Sequence, residues 1–289
     1  MQIKVYTLNS FGTSSNGGNP AGVVLNADSL SDENMQVIAK KVGFSETAFV
    51  QKSDVANFKV RFFTPSEEVD LCGHATIACF YVLANKGIIN SGKYKQETKA
   101  GVLDLEVKTD DTILMNQALP VFLEVIDKKE IADSLNIPPE EIASDLPIQI
   151  VSTGLKDILI PVKNLDTLLS MKPDFNKITE ISKKYNVVGY HAFTLETKFD
   201  NTAHCRNFAP LYDILEESAT GTSNGALSCY LFKYGKVSEE NKEHLIFEQG
   251  YSMNQPSEIR TSLSTNDKNI IAIKVGGNAC NLQEKIIEL

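Results

Sequence analysis

The sequence predicts an α+β protein folded as two similar lobes, and three observations carry this expectation. Strand-like alternation and helix-like spacing are mixed in both halves of the 289-residue chain. A segment from Cys72-Gly73-His74 to Lys86-Gly87 returns, at one constant offset, from Thr220-Gly221-Thr222 to Tyr234-Gly235. Two shorter blocks, Ala48-Phe49 with Ala192-Phe193 and Phe63-Thr64-Pro65 with Phe208-Ala209-Pro210, precede the two copies in the same order. The expected lobes are 1–117 plus 274–289, and 118–273, related by a pseudo-twofold axis.

Along the chain, Ile3, Val5 and Thr7 alternate with Gln2, Lys4 and Tyr6, the pattern of a strand and not of a signal peptide. The glycine-rich stretch Gly12 to Gly18 reads as a flexible loop ending at Asn19-Pro20. Its spacing is neither that of a P-loop nor that of a dinucleotide fingerprint. Ser31 can cap a helix whose apolar residues Met35, Ile38, Ala39 and Val42 share one face, and Gly43 fits its stop. Phe58 to Phe63 and Val102 to Val107 read as strands. Pro138-Pro139 before Glu140-Glu141 reads as the start of another helix. Lys40-Lys41 and Lys183-Lys184 sit near the ends of matching helices. In the repeat, Gly73 pairs with Gly221, Ala78 with Ala226, Leu83 with Leu231 and Gly87 with Gly235. Each copy reads as a glycine turn, a buried helix of about three turns and a glycine C-cap.

Composition narrows the function. Hydrophobic residues at 42% and charged residues at 22% suit a globular protein with a sizeable core. A net charge of -9 disfavours nucleic acid and anionic membrane, both of which reward clustered Lys and Arg. The longest apolar run, Ala75 to Ala84, is about ten residues and too short for a membrane span. Five cysteines without a CxxC pair suit reduced thiols in a cytoplasm. His74, His191, His204 and His244 are scattered, and no metal-ligand spacing appears, so no metal is expected.

Four residues near the first repeat could carry chemistry. Glu46, in Phe44-Ser45-Glu46-Thr47-Ala48-Phe49, follows a helix stop and is flanked by aromatics. Desolvation there would raise its pKa and ready it for acid/base work, although the local sequence by itself favours an exposed loop or strand-edge Glu. Gly73-His74 and Gly221-Thr222 open helices whose free N–H groups attract carboxylates and enolates, although glycine also serves any tight turn. His74 could bind a carboxylate or exchange a proton, or simply cap the helix. Cys72, at the same helix start, is a candidate low-pKa thiol or an inert buried one.

Gly18-Asn19-Pro20-Ala21-Gly22-Val23, Ser45-Glu46-Thr47, Arg61-Phe62-Phe63-Thr64-Pro65, Glu68 to Thr76 and Ala219-Thr220-Gly221 together resemble the successive motifs of the PhzF-like phenazine biosynthesis family. They come in family order and span most of the chain. The resemblance implies the diaminopimelate epimerase-like fold, two lobes each made of a curved sheet around a central helix, with the site between them. Epimerases and racemases of that fold use one cysteine from each lobe. The matching turns in this chain are Cys72-Gly73-His74 and Thr220-Gly221-Thr222, so the second thiol is missing. PhzF-like members use the glutamate of the SET motif as base and then acid, which maps to Glu46. Substrate-binding roles map to Cys72, Gly73 and His74, and more loosely to Asn19, Glu217, Gly221 and Thr222. The family's Asp-Pro-Ala-Thr-Gly-Ser becomes Glu217-Ser218-Ala219-Thr220-Gly221-Thr222, and losing the proline is expected to loosen that turn.

The expected function is a cofactor-independent isomerase that moves a proton on a small carboxylate-bearing metabolite through Glu46. A homodimer is expected from the family resemblance alone. Two alternatives stand beside this: a Cys72-based epimerase or dehydratase on the same fold, and a non-catalytic small-molecule-binding protein.

Overall fold

The computed structural model describes residues 1–289. The chain divides into two compact units, 1–116 with 276–289, and 117–275. The first contains β1 (Gln2–Ser10), β2 (Asn19–Val24), α1 (Asp32–Val42), β3 (Glu46–Gln51), β4 (Phe58–Phe63), β5 (Glu68–Val69), α2 (Gly73–Asn85), β6 (Gly92–Thr98), β7 (Gly101–Val107) and β8 (Ile113–Asn116). The C-terminal strand Ala279–Glu288 returns to pair antiparallel with β1. The second contains β9 (Val121–Val125), α3 (Lys128–Leu135), β10 (Gln149–Ser152), β11 (Lys156–Pro161), α4 (Leu165–Ser170), α5 (Phe175–Tyr185), β12 (Gly189–Thr194), β13 (Ala203–Ala209), β14 (Ile214–Glu217), α6 (Gly221–Lys233), β15 (Leu245–Gln249) and β16 (Ser257–Asn266).

One pairing scheme recurs within each unit. β2 runs parallel to β3, β3 antiparallel to β4, β4 antiparallel to β5 and parallel to β6, and β6 antiparallel to β7. In the second unit β11, β12, β13, β14, β15 and β16 repeat these orientations step for step. The repeat extends to side chains. Arg61 on β4 forks onto Glu68 of β5, with Nε–Oε1 at 2.7 Å and a second bond of 2.8 Å, and its guanidinium covers Phe63. Arg206 on β13 forks onto Glu216 of β14 at 2.9 Å through both nitrogens and covers Phe208. Planar bidentate pairs of this kind fix a short strand firmly. Each brace holds the strand that leads into one repeat helix.

Those helices, α2 and α6, are 13 residues long and buried on nearly every side from Ala75 to Leu83 and from Ser223 to Leu231. A helix without a polar face has to sit inside its sheet. Gly87 and Gly235 both take φ of 68°, the left-handed turn that ends a helix. The outer helices are amphipathic. Ser31 caps α1 by accepting from Asn34 N–H, and Met35, Ile38 and Ala39 pack against Val5, Val24 and Phe49. Lys40-Lys41 and Lys183-Lys184 occupy the last turns of α1 and α5, where they complement the helix dipole.

Three expectations change. Pro139–Glu141 forms one 3-10 turn and no longer helix, because Ile142 at once becomes extended and bridges Val162. Strand β1 is buried on both faces from Val5 to Leu8, so Tyr6 is core although its alternation placed it with polar residues. The Gly12–Gly18 segment is tied down: Phe11 N–H donates to Asn278 O, Asn9 Nδ2 to Ser15 O and the Cys280 thiol to Ser14 O. A Cβ on Gly18, at φ 79°, would stand 2.3 Å from Ser10 O, so glycine is required there by packing as well as by dihedral. All five cysteines are free thiols, and no helix is long and apolar enough to cross a membrane.

Candidate active site

Glu46, Cys72 and His74 converge within the first unit. The α1 crossover lays β3 parallel to β2 with Glu46 beside Ala21, two residues after Asn19. Cys72 is the extended residue that precedes α2, and its carbonyl accepts from both the N–H and the hydroxyl of Thr76. His74, one turn-residue further on, is held from below by Ser10, whose hydroxyl donates to the His74 carbonyl at 2.6 Å. Asn19 is the cross-strand partner of Ser10. His74 Nε2 lies 3.1 Å from Glu46 Oε2 and 3.3 Å from Ser45 Oγ, while Nδ1 lies 3.4 Å from Cys72 Sγ. The side chains of His74 and Glu46 are 13% and 19% exposed.

The contact between Glu46 and His74 is a charge pair without an aligned hydrogen bond: Glu46 Oε2 is buried and receives none. Burial pushes the Glu46 carboxyl upward, but His74, Ser45 and Cys72 outweigh it and leave the carboxyl below its ordinary value. Burial likewise opposes charge on His74, and the adjacent Cys72 and Glu46 reverse that, holding the imidazole well above its ordinary value. The flanking phenylalanines therefore mislead. The expected raised carboxyl is corrected to a carboxylate paired with an imidazolium, because the decisive neighbour arrives from α2.

Gly73 has an ordinary helical backbone, and a Cβ there would meet only Met115 Cε, at 3.5 Å. Neither dihedral nor packing demands glycine, so the tight-turn explanation fails for this residue. What the missing side chain does leave is a clear approach to the first N–H groups of α2.

In the second unit Glu217, Gly221 and Thr222 gather at the start of α6. Thr220 Oγ donates to Glu217 Oε2 at 2.7 Å, and Thr222 O accepts from Thr153 Oγ at 3.1 Å. The turn that lost its proline is not loose. Gln249 reaches across it, donating to Glu217 O and Thr220 Oγ and accepting from Thr220 N–H and Asn224 Nδ2. Asn224 occupies the repeat position of Thr76, and each side chain bonds the carbonyl that opens its helix. Behind them runs a buried chain: His191 bonds Asn224 and Asn207, Asn207 donates to Ser223, and Ser223 donates to Asp157. Burial pushes the Asp157 carboxyl up to about 6 and the His191 imidazole down to about 4, so His191 is neutral. Sequence reasoning missed Ser10, Ser45, Gln249 and this chain, since their partners lie far apart along the polypeptide.

A family model described as phenazine biosynthesis-like protein, PhzC-PhzF, matches residues 8–285. A Bacillus subtilis (strain 168) protein named "uncharacterized isomerase YfhB" is 35% identical over 295 residues, covering 100% of this chain and 99% of its own length. A crystal structure of a Bacillus anthracis phenazine biosynthesis protein of the PhzF family superposes with a TM-score of 0.88 at 34% identity, covering 100% of each chain. A hydroxyproline epimerase from Agrobacterium vitis shares the fold at a TM-score of 0.62 and 10% identity, covering 99% of this chain and 91% of its own.

Proposed function

We propose an isomerase: the chain belongs to the PhzC-PhzF family of phenazine biosynthesis-like proteins, and Glu46 and His74 form the acid/base pair it would need. Glu46 takes a proton next to a carbonyl or conjugated system of a small carboxylate-bearing metabolite and returns it at another carbon. The observation that carries this is Glu46 Oε2, a buried carboxylate oxygen with no aligned donor, beside an imidazole held in its charged form. The pairing keeps Glu46 ionised and therefore able to act as the base, and the substrate proton displaces the contact with His74 as it arrives. The N–H groups that open α2, with His74, would hold the substrate carboxylate and the charge that develops in the transition state. Asn19, Glu217, Gly221 and Thr222 are proposed as further substrate contacts and the homodimer as the assembly, both on family resemblance. No cofactor enters this chemistry.

The test is exchange with solvent. Small carboxylates with an acidic C–H are incubated with the protein in D2O, and isomerisation that passes through Glu46 deposits deuterium at the new C–H position. Absence of exchange across a broad set of unsaturated and hydroxy acids would count against the reading. Its pH dependence is also set. The carboxylate form of Glu46 works, and its pKa is depressed, so kcat/KM should stay level through mildly acidic pH and fall only below the usual carboxylate range. An acid limb near neutrality would indicate a raised carboxyl and refute the ion pair.

A second reading rests on Cys72, whose sulfur faces Nδ1 of the same imidazole that Glu46 approaches through Nε2. A thiol, an imidazole and a carboxylate in that order form a nucleophile–base–orienter series. Cys72→Ser separates the two. With Glu46 as the base, the variant keeps turnover within about tenfold, roughly 1.4 kcal/mol of barrier. A folded but inactive Cys72→Ser protein would transfer the chemistry to the thiol.

A further inference from the structure

The same three side chains that make the acid/base site also present an imidazole nitrogen, a thiol sulfur and a carboxylate oxygen to one another, with all three atoms within 4.8 Å. We propose that Glu46, Cys72 and His74 form a binding site for a thiophilic divalent cation, Zn2+ above others, and that its occupancy silences the isomerase; the silencing, though not the binding, rests on the acid/base reading above.

The spacing supports this. Zn2+ bound tetrahedrally to N, O and S ligands at about 2.0–2.3 Å holds those atoms roughly 3.3–3.6 Å apart. His74 Nε2 lies 3.1 Å from Glu46 Oε2 and 3.9 Å from Cys72 Sγ, within a few tenths of an ångström of that separation, and all three ligand atoms lie within 4.8 Å of one another, so the carboxylate and the thiol draw together as the ion binds. Glu46 Oε2 faces His74 Nε2 directly, so a cation between them replaces the proton that now lies between the two. Ser45 Oγ stands 3.3 Å from the same nitrogen, and Ser10 fixes the backbone of His74 from the other side. Three protein ligands leave a fourth position for water, the arrangement of an open zinc site and not of a closed structural one. The donor set selects the ion: sulfur and imidazole favour Zn2+ or Co2+, whereas Mg2+ and Ca2+ require oxygen. Two protons leave as the metal binds, one from the Cys72 thiol and one from Nε2 of the His74 imidazolium, because only the neutral ring offers a lone pair. Once bound, the metal occupies the Glu46 lone pair that would receive the substrate proton. No sequence motif announced the site, because one ligand comes from the start of β3 and two from the start of α2.

The experiment uses the full chain in chelator-treated buffer with Co2+ and Zn2+ as probes. Co2+ should bind one per chain and give a thiolate-to-cobalt charge-transfer absorption that Zn2+ displaces. Cys72→Ser should abolish that absorption, and Cys72→Ser and Glu46→Gln should each weaken Zn2+ binding, measured by calorimetry, by more than the roughly 10–100-fold that loss of an outer-shell partner costs. Unchanged thermal melting of the metal-free variants shows that both fold. Failure of Co2+ and Zn2+ to bind the wild type, or binding that survives in both variants, overturns the site and leaves the acid/base reading standing. Zn2+ that binds as described but leaves deuterium exchange at full rate overturns the acid/base reading instead.

Discussion

Glu46→Gln is expected to lower deuterium incorporation into substrate by on the order of 10³-fold, within the range that positioned acid/base groups contribute, while the protein stays folded. The substitution keeps the shape of the side chain and removes only its ability to take a proton. The stability cost should be modest: the pair with His74 is largely buried, but the ring can discharge when the carboxylate is gone, so no unpaired charge has to stay inside. The effect on His74 is the second readout. Part of what holds the imidazole in its charged form is the Glu46 carboxylate, so its titration, followed by NMR, should move down in the variant. A structural role for Glu46 would predict the reverse balance: a large loss of stability and a modest loss of rate. A Gln variant that keeps most of its activity would remove Glu46 from the mechanism.

What could be read from the sequence was whatever is written locally. The helices α1, α2 and α6 announce themselves through a cap, a periodic face or all-round burial, and a closing glycine, all within about fifteen residues. The duplicated brace was also readable in principle, since Arg-x-Phe recurs at 61–63 and 206–208. The site was only half readable. Cys72, Gly73 and His74 lie together on the chain, and Glu46 joined them through family resemblance. The direction of its pKa was not readable, because Phe44 and Phe49 are its neighbours in sequence while His74, 28 residues away, is its neighbour in space. For the same reason the Gln249 clamp stayed hidden: β15 comes beside β13 only through a parallel pairing across the whole chain segment between Ala209 and Leu245.

That pairing also sets the largest stability effect. Cys205 faces Gln249 and His204 faces Glu248 across it, and Glu248 and His204 are both fully buried. Glu248 accepts from Lys198 N–H at 2.9 Å, Phe199 N–H at 2.9 Å, Asn201 Nδ2 at 3.0 Å and His204 Nδ1 at 2.6 Å. Burial alone would raise this carboxyl, but the four donors overcome it and hold it below the ordinary value. Burial also lowers His204, so the neutral ring donates through Nδ1 to Glu248 and its buried Nε2 accepts no hydrogen bond. Glu248→Ala leaves the fully buried His204 without its acceptor and releases the Lys198, Phe199 and Asn201 donors that tie down the 198–201 loop. Removing one partner of a buried charged network costs about 3–5 kcal/mol, and that is the expected loss in equilibrium denaturation at neutral pH. Glu248→Gln should recover only part of it, since its amide turns a donor toward other donors. The sign with pH follows from linkage. A depressed carboxyl contributes stability that is present above the unfolded glutamate pKa and lost as pH falls through the folded one. His204 stays in both proteins, and losing the Glu248 carboxylate that raises it only lowers it further, so the closing of the gap on acidification comes from the Glu248 carboxyl itself. The gap between wild type and Glu248→Ala should therefore be widest at neutral pH and close on acidification. A loss under about 1 kcal/mol, or a gap that does not change with pH, would mean that the 198–201 loop finds other acceptors and that Glu248 does not anchor it.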